Sequence, residues 1–230
     1  MLKVDFKRLC YAVIDYKYLL NRGYPQNASL QLVSNRYQLD NVHYSILYRC
    51  VHGDREAYNI RLKLVNASEV KGNSLLIDGF NVLITVESGI LNEPLFIGDD
   101  GLLRDVRKSY RRFKFQREFH EGIVELIVRY ISKLNPKDVT IVLDQQISFS
   151  GELARIFNEK VEKFNINGHS YTAKKTDVEL LKYVKNCIIA SSDIVIVKRA
   201  NKIFDLSRYI VECEKPKAII DLIKYCIRCR

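Results

Sequence analysis

Asp78 closes the apolar run Leu75-Leu76-Ile77, and Gly79-Phe80-Asn81 follows it at once. A short buried strand that ends on a carboxylate presents it at the carboxyl edge of a sheet, where open α/β sheets bind their ligands. Gly79 lets the backbone leave the strand without a Cβ in its path, and Asn81 adds a neutral polar group close by. Asp144 closes Val139-Thr140-Ile141-Val142-Leu143 in the same way, and Asp193 follows Ile188-Ile189-Ala190-Ser191-Ser192. Asp177 opens a helical stretch after Lys174-Lys175-Thr176. Carboxylates that converge on one edge repel each other unless a cation lies between them, and ligands that are all oxygen suit Mg²⁺ or Mn²⁺. Such a centre could hydrolyse a phosphodiester, because the metal lowers the pKa of a bound water and stabilises the leaving oxygen. The histidines (His43, His52, His120 and His169) all fall outside these motifs, which favours metal-bound water over a histidine base.

Cations and hydroxyls accompany the acids. Lys174 and Lys175 precede Asp177 and could hold phosphates beside the metals. A second basic stretch carries Arg104, Arg107, Lys108, Arg111, Arg112, Lys114 and Arg117, interleaved with Tyr110, Phe113 and Phe115. Charges that track a backbone, mixed with rings that stack on bases, are what single-stranded nucleic acid binding uses. A solvated helix face with its rings in the core reads equally well. Ser148 and Ser150 stand before a helical stretch, either as its caps or as donors to a phosphate at its amino end.

The elements that position these residues follow from periodicity. Phe6, Leu9, Cys10, Val13, Ile14, Tyr16 and Leu20 predict a helix over 5–21, stopped by Asn21-Arg22-Gly23. Short helices are expected after Pro25 and after Asp40 or Asn41, arranged like a helix-turn-helix with Arg36, Tyr37, Arg49 and Arg55 available to phosphates. Residues 54–66 read as helical again. The polar stretch 67–73, with its Gly-Asn turn, marks a boundary between a helical domain over 1–70 and an α/β domain over 73–230. In the second stretch strands alternate with helices, which argues for βαβ units and a mostly parallel sheet. Expected there are a helical turn over 85–91, a hairpin turn at Asp99-Asp100-Gly101 and a helix over 118–134. A strand around Asn167-Gly168, a strand over 187–190 and an amphipathic helix over 216–228 complete the reading.

A net charge of +10 and a pI near 9.3 favour polyanionic partners, above all nucleic acid. No apolar run approaches the about 20 residues that span a bilayer, and the first residues show no secretory h-region. The 6 cysteines form no regular framework, and Cys226-Ile227-Arg228-Cys229 lacks the second pair or the histidine that zinc needs. The expectation is a cytoplasmic, reducing setting with no membrane partner, and with a homodimer left open. A phosphatase or phosphotransferase is disfavoured. There is no Gly-rich Walker loop, and Asp78-Gly79-Phe80-Asn81 lacks the second Asp of a haloacid-dehalogenase-like site.

Residues 73–213 resemble the PIN-like and NYN nuclease superfamily through Ile77-Asp78-Gly79-Phe80-Asn81, Leu143-Asp144, Lys175-Thr176-Asp177-Val178 and Ser191-Ser192-Asp193. The whole chain resembles an archaeal protein family that joins a small helical amino-terminal domain to such a PIN-like domain. The resemblance implies a three-layer α/β/α domain that cuts RNA through Mg²⁺ or Mn²⁺. It implies Asp78, Asp144, Asp177 and Asp193 as catalytic metal ligands, with Asn81 and Ser192 in support. A further acid on an early helix would be Glu87, Asp99, Asp100 or Asp105, with no basis for choosing among them. Two functions then compete: a metal-dependent ribonuclease, and a non-catalytic nucleic-acid-binding module of the same fold. Convergence of the four aspartates on one centre separates them.

Overall fold

A computed structural model describes residues 4–106 and 113–228 of the chain. The first elements are α1 (Phe6–Asn21), α2 (Gln26–Tyr37), α3 (Asn41–Cys50), α4 (Asp54–Arg61) and α5 (Ala67–Val70). There follow β1 (Ser74–Asp78), α6 (Gly79–Ile90), β2 (Leu95–Ile97), β3 (Leu103–Asp105), α7 (Arg117–Leu134), β4 (Asp138–Asp144) and α8 (Ser150–Lys163). The remainder is β5 (Gly168–Ala173), α9 (Thr176–Tyr183), β6 (Ile188–Ala190), α10 (Ile194–Arg199), β7 (Lys202–Ile203), α11 (Leu206–Glu214), β8 (Ile219–Asp221) and α12 (Leu222–Arg228). Two compact units are interleaved in sequence: residues 1–62, 88–112 and 214–230 form one, and residues 63–87 and 113–213 the other. The boundary read near residue 70 separates helical from α/β sequence. Compactness instead groups the β2–β3 hairpin and the carboxyl-terminal segment with the first four helices.

In the first unit, Asp5 accepts from the Arg8 amide at the start of α1, and Asp40 accepts from the Val42 and His43 amides at the start of α3. Leu9, Val13 and Tyr16 of α1 meet Leu30 and Val33 of α2 and Ile46 and Leu47 of α3 in one core. At roughly 1.5–3 kcal/mol for each large apolar side chain removed from water, this seam is what holds short helices that would be marginal alone. β2 pairs antiparallel with β3 around a turn in which Gly101 takes φ 86°, so the hairpin falls where the sequence predicts it. β2 also pairs parallel with β8. The stretch expected as one helix over 216–228 therefore divides, with a strand over Ile219–Asp221 and a helix after it. β-Branched Ile219 and Ile220 suit an extended ladder.

Phe96 of β2 and Leu222 of α12 are buried in the same core as α1 to α3. A disulfide joins Cys10 of α1 to Cys226 of α12 across a sequence separation of 216. Such bridges belong to oxidising compartments and also to the disulfide-rich interiors of hyperthermophiles. Spacing could not reveal the pairing.

The second unit is built on a parallel sheet of order β5-β4-β1-β6-β7, flanked by helices in three α/β/α layers. Leu75, Leu76 and Ile77 of the central β1 are almost wholly buried. From β1 the chain builds outward through β4 to β5, then returns to the other side for β6 and β7. The reversal leaves the crevice of such a sheet at the carboxyl ends of β1 and β6. α6 starts directly after Asp78 and runs to Ile90, longer than the turn expected over 85–91. Phe80, Val82, Leu83, Ile84 and Val86 are all buried, which removes the amphipathic signature that periodicity needs. Gly79 is required for closeness rather than for a turn. A Cβ there would lie 2.6 Å from Leu143 Cδ2 and 3.0 Å from the Val142 carbonyl. No helix of the described residues is long and apolar enough to cross a membrane.

Breaking the Cys10–Cys226 bridge, by reductant or by Cys226→Ser, is expected to cost about 2–5 kcal/mol, the range for cross-links that close long loops. Urea unfolding with and without dithiothreitol reads this directly. Coincident curves would show that the bridge does not support the fold.

Candidate functional site

Register brings the two sides of the crevice together. Ile77 lies opposite Ala190 on β6, so Ser191, the next residue, stands beside Asp78. Ser191 Oγ donates to Asp78 Oδ2 at 3.0 Å and accepts from the Asp193 amide at 3.1 Å. Asn81, in the first turn of α6, holds the next position: its Oδ1 accepts from Ser192 N at 2.9 Å and from Ser192 Oγ at 3.1 Å. Asp78 Oδ1 accepts from the Asn81 amide at 3.4 Å. Asp78, Asn81, Ser191, Ser192 and Asp193 thus form one hydrogen-bonded connection at the switch point. Asp193 is exposed, and its Oδ1 accepts from the Val195 amide at 2.8 Å to cap α10. The apolar stretch after it, Ile194 to Val197, is the body of that helix.

Asp144 ends β4 two residues beyond Val142, the register partner of Asp78, and therefore shares its face of the sheet. It is half-buried, and its Oδ1 accepts from the Gln146 amide at 2.8 Å. Gln145 N donates to the Ala173 carbonyl at 2.9 Å and Gln146 Nε2 to the Lys174 carbonyl at 3.1 Å. These bonds tie the loop after Asp144 to the β5–α9 connection, on which Lys174 and Lys175 are exposed. Asp177 is exposed in the first turn of α9. Asp144, Asp177 and Asp193 have no Lys or Arg within ion-pair distance among the described residues.

The four expected ligands do not close on one point. Among the described residues, no three of them offer oxygens within 4.8 Å of one another. Asp177 lies in the first turn of α9, a helix that packs on β4 and β1 as well as β5, and Asp193 is turned to its own helix. An open cavity of about 380 Å³ lies toward the amino end of the same sheet, lined by Ser74, Asp138, Thr140, His169, Tyr171 and Cys187 among others, and contains none of the four. Neither Ser148 nor Ser150 caps α8. Phe149 occupies the cap position in the left-handed region, φ 65°, with no side-chain cap bond, and Ser150 Oγ reaches the Gln145 carbonyl at 3.5 Å.

Arg107, Arg111 and Arg112, expected on phosphates, lie outside the described residues. The rings beside them are placed: Phe113 meets Phe80 edge-on at 5.4 Å, and Phe115 stacks on Phe149 at 5.1 Å and on His120 at 5.4 Å. Phe149 itself, 62% exposed, was not signalled by any sequence pattern. Of the groups offered to phosphates by the helical region, Arg36 pairs with Asp15, Tyr37 donates its hydroxyl to the same carboxylate, and Arg49 engages Asp105 at 3.2 Å.

The further acids have commitments of their own. Glu87 Oε2 lies 3.6 Å from His120 Nε2, both side chains buried. His52, Asp99 and Asp100 are buried and are, among the described residues, the one group whose ligand atoms all lie within 4.8 Å, so they could hold a metal ion. Their charge is already balanced, however. Asp99 Oδ1 is 2.8 Å from His52 Nδ1, and Asp99 Oδ2 takes the His52 amide at 2.8 Å and Lys17 Nζ at 2.6 Å. Arg104 grips Asp100 with both nitrogens, at 2.8 and 2.5 Å. A divalent ion would have to displace Lys17 and open that fork, so the donor set fits an ion network better than a resident metal. Burial alone would push the Asp100 carboxyl up, but the Arg104 guanidinium outweighs it and holds the carboxyl below its ordinary value.

Residues 67–209 match the family described as Domain of unknown function (DUF5616), and residues 8–63 match Protein of unknown function (DUF434). The "Uncharacterized protein MJ0935" of Methanocaldococcus jannaschii is 37% identical over 188 residues, covering 81% of this chain and 88% of that protein. No solved structure matches.

Arg104→Met leaves Asp100 buried beside one weaker partner and is expected to cost about 3–5 kcal/mol at neutral pH. Because the native carboxyl is depressed, its contribution is fully present above the unfolded pKa of about 3.9 and disappears as pH falls through the folded value. The deficit of the variant should therefore shrink on acidification, as Asp100 takes up a proton. Urea melts of both proteins at pH 7 and at about pH 2, below the unfolded value, test this, and a pH-independent deficit would contradict it.

Proposed function

The chain belongs to the family described as Domain of unknown function (DUF5616), and from the geometry of its own sheet edge we propose that it is a PIN-like, metal-dependent nuclease that hydrolyses RNA. The observation that carries this reading is the connection from Asp78 through Ser191 to Asp193 at the carboxyl ends of β1 and β6, where an open α/β sheet places its ligand. Asp144 brings a second half-buried carboxylate to the same face. Hard oxygen donors without a cationic partner at Asp144 and Asp193 fit Mg²⁺ or Mn²⁺.

In this reading Asp78, Asp144 and Asp193 would hold the metal, and Asp177 would assist from the first turn of α9. The bound ion supplies a water of lowered pKa and stabilises the departing oxygen. Ser191 orients Asp78, while Asn81 fixes the Ser192 segment and so the backbone that carries Asp193. Lys174 and Lys175 hold the phosphate chain, and the net charge of +10 draws the polyanion to the protein. The reading places this activity in the cytoplasm. A second reading, a nucleic-acid-binding module without catalysis, is favoured by two observations: among the described residues no three of the four aspartates offer oxygens within 4.8 Å of one another, and Asp193 spends an oxygen on capping α10.

Labelled single-stranded and structured RNA incubated in Mn²⁺ and in EDTA separates the two. Cleavage is expected only with metal, and Asp78→Asn and Asp144→Asn should each lower it by about a hundredfold or more, the scale of losing one group that stabilises the transition state. Cleavage that survives EDTA, or both substitutions, would refute the metal centre. Binding without cleavage would leave the second reading.

A further inference from the structure

Phe149 is unusual in three respects at once. It is 62% exposed, it holds φ 65°, and its ring lies on Phe115 at 5.1 Å with only 21° between the planes. A bulky side chain in the left-handed region is disfavoured by its own backbone, and an exposed ring contributes little to the core. Phe115 is half-buried and stacks in turn on the buried His120, at 5.4 Å and 25°. The support is therefore anchored while the ring it carries stands in solvent. The loop bearing Phe149 begins at Asp144 and is bonded to the segment that exposes Lys174 and Lys175. Neither lysine has an ion-pair partner among the described residues.

We propose that Phe149 is a stacking platform for an unpaired base, which makes single-stranded RNA the substrate of the sheet edge. The proposal rests on the nuclease reading for the placement of the strand along that edge. An exposed ring on a loop bonded to the segment that carries two cations matches a polymer that alternates flat bases with phosphates: the base covers Phe149 and phosphates further along the strand meet Lys174 and Lys175. A paired base within a duplex offers no face to the ring, so duplex RNA of the same length should gain nothing from Phe149.

Binding is measured in EDTA, where no cleavage is expected, with a labelled single-stranded RNA and its duplex. Phe149→Leu keeps apolar mass on Phe115 but removes the aromatic face, and circular dichroism verifies its fold. It should weaken single-strand binding by about 5–100-fold, as losing one stacking ring does, and leave duplex binding within about twofold. The sequence contains Trp 0 times, so Phe149→Trp installs a lone tryptophan at the platform, whose emission is read by exciting at a wavelength that tyrosine does not absorb. Its emission should fall as RNA binds and stay constant with an abasic strand of equal charge. The proposal is overturned if Phe149→Leu binds single strands like the parent, if the tryptophan emission ignores the bases, or if the parent binds no single-stranded RNA. Dependence on Phe149 without any Mn²⁺-driven cleavage would defeat the nuclease reading and leave the platform standing. Cleavage with normal binding by Phe149→Leu would do the reverse.

Discussion

Between the end of β1 and the strand beside it there is room at residue 79 for a hydrogen atom and nothing larger, with Leu143 and the Val142 carbonyl already at contact distance from a hypothetical Cβ. That closeness lets α6 begin on the residue after Asp78, with no intervening loop. The helix then carries Asn81 back over the strand end within reach of Ser192, and the edge of β1 becomes tied to the edge of β6. A looser junction would lengthen the connection and separate those groups. The polar knot at the switch point is thus set by a packing constraint among apolar atoms next to it.

The other unit keeps its polar groups in a different way. Asp99, Asp100, His52 and Arg104 surround each other out of water, with the partly exposed Lys17 at their margin and every carboxylate oxygen that is described matched by a donor. Burying charges this way adds little net stability against an apolar core of the same volume, yet removing one member is costly. It fixes the β2–β3 turn, whose Asp99 and Asp100 contribute both acids. The same residue types occur at the sheet edge in the opposite condition, half-buried or exposed and without cations at Asp144 and Asp193. Acids matched inside a protein hold structure, whereas acids left unmatched at a sheet's carboxyl edge are available to a ligand.

Much of the second unit was legible because its signals are local. Leu75-Leu76-Ile77-Asp78 and Val139 to Asp144 read as strands ending on acids, and the structure makes them β1 and β4. α6 was only partly legible, since a helix buried all round has no polar stripe to give its period. β8 and the Cys10–Cys226 bridge depend on partners more than a hundred residues away, which no window of sequence contains. Phe149 escaped because its neighbours Ser148 and Ser150 carry the usual capping chemistry, while the chain places the ring itself at the cap. The four aspartates show the limit of spacing arguments. Spacing places Asp78 and Asp144 on one face, but whether acids converge depends on side-chain commitments such as that of Asp193 to α10.

The interleaving of the units has a consequence for the order in which the protein can be made. α1 to α3 leave the ribosome before the α/β sequence, but the core they share also needs Phe96, Leu222 and Cys226. All of 113–213 must be synthesised before the last of these exists. Domains tend to fold as units while synthesis proceeds from the amino end. The parallel sheet, its segments complete by residue 213, can settle while the helices that preceded it still wait for their final strand and helix. In this chain residues 1–62 belong to the unit that is finished last, and α1 to α3 can cover one another in the interval but not the part of their core that Phe96 and Leu222 fill.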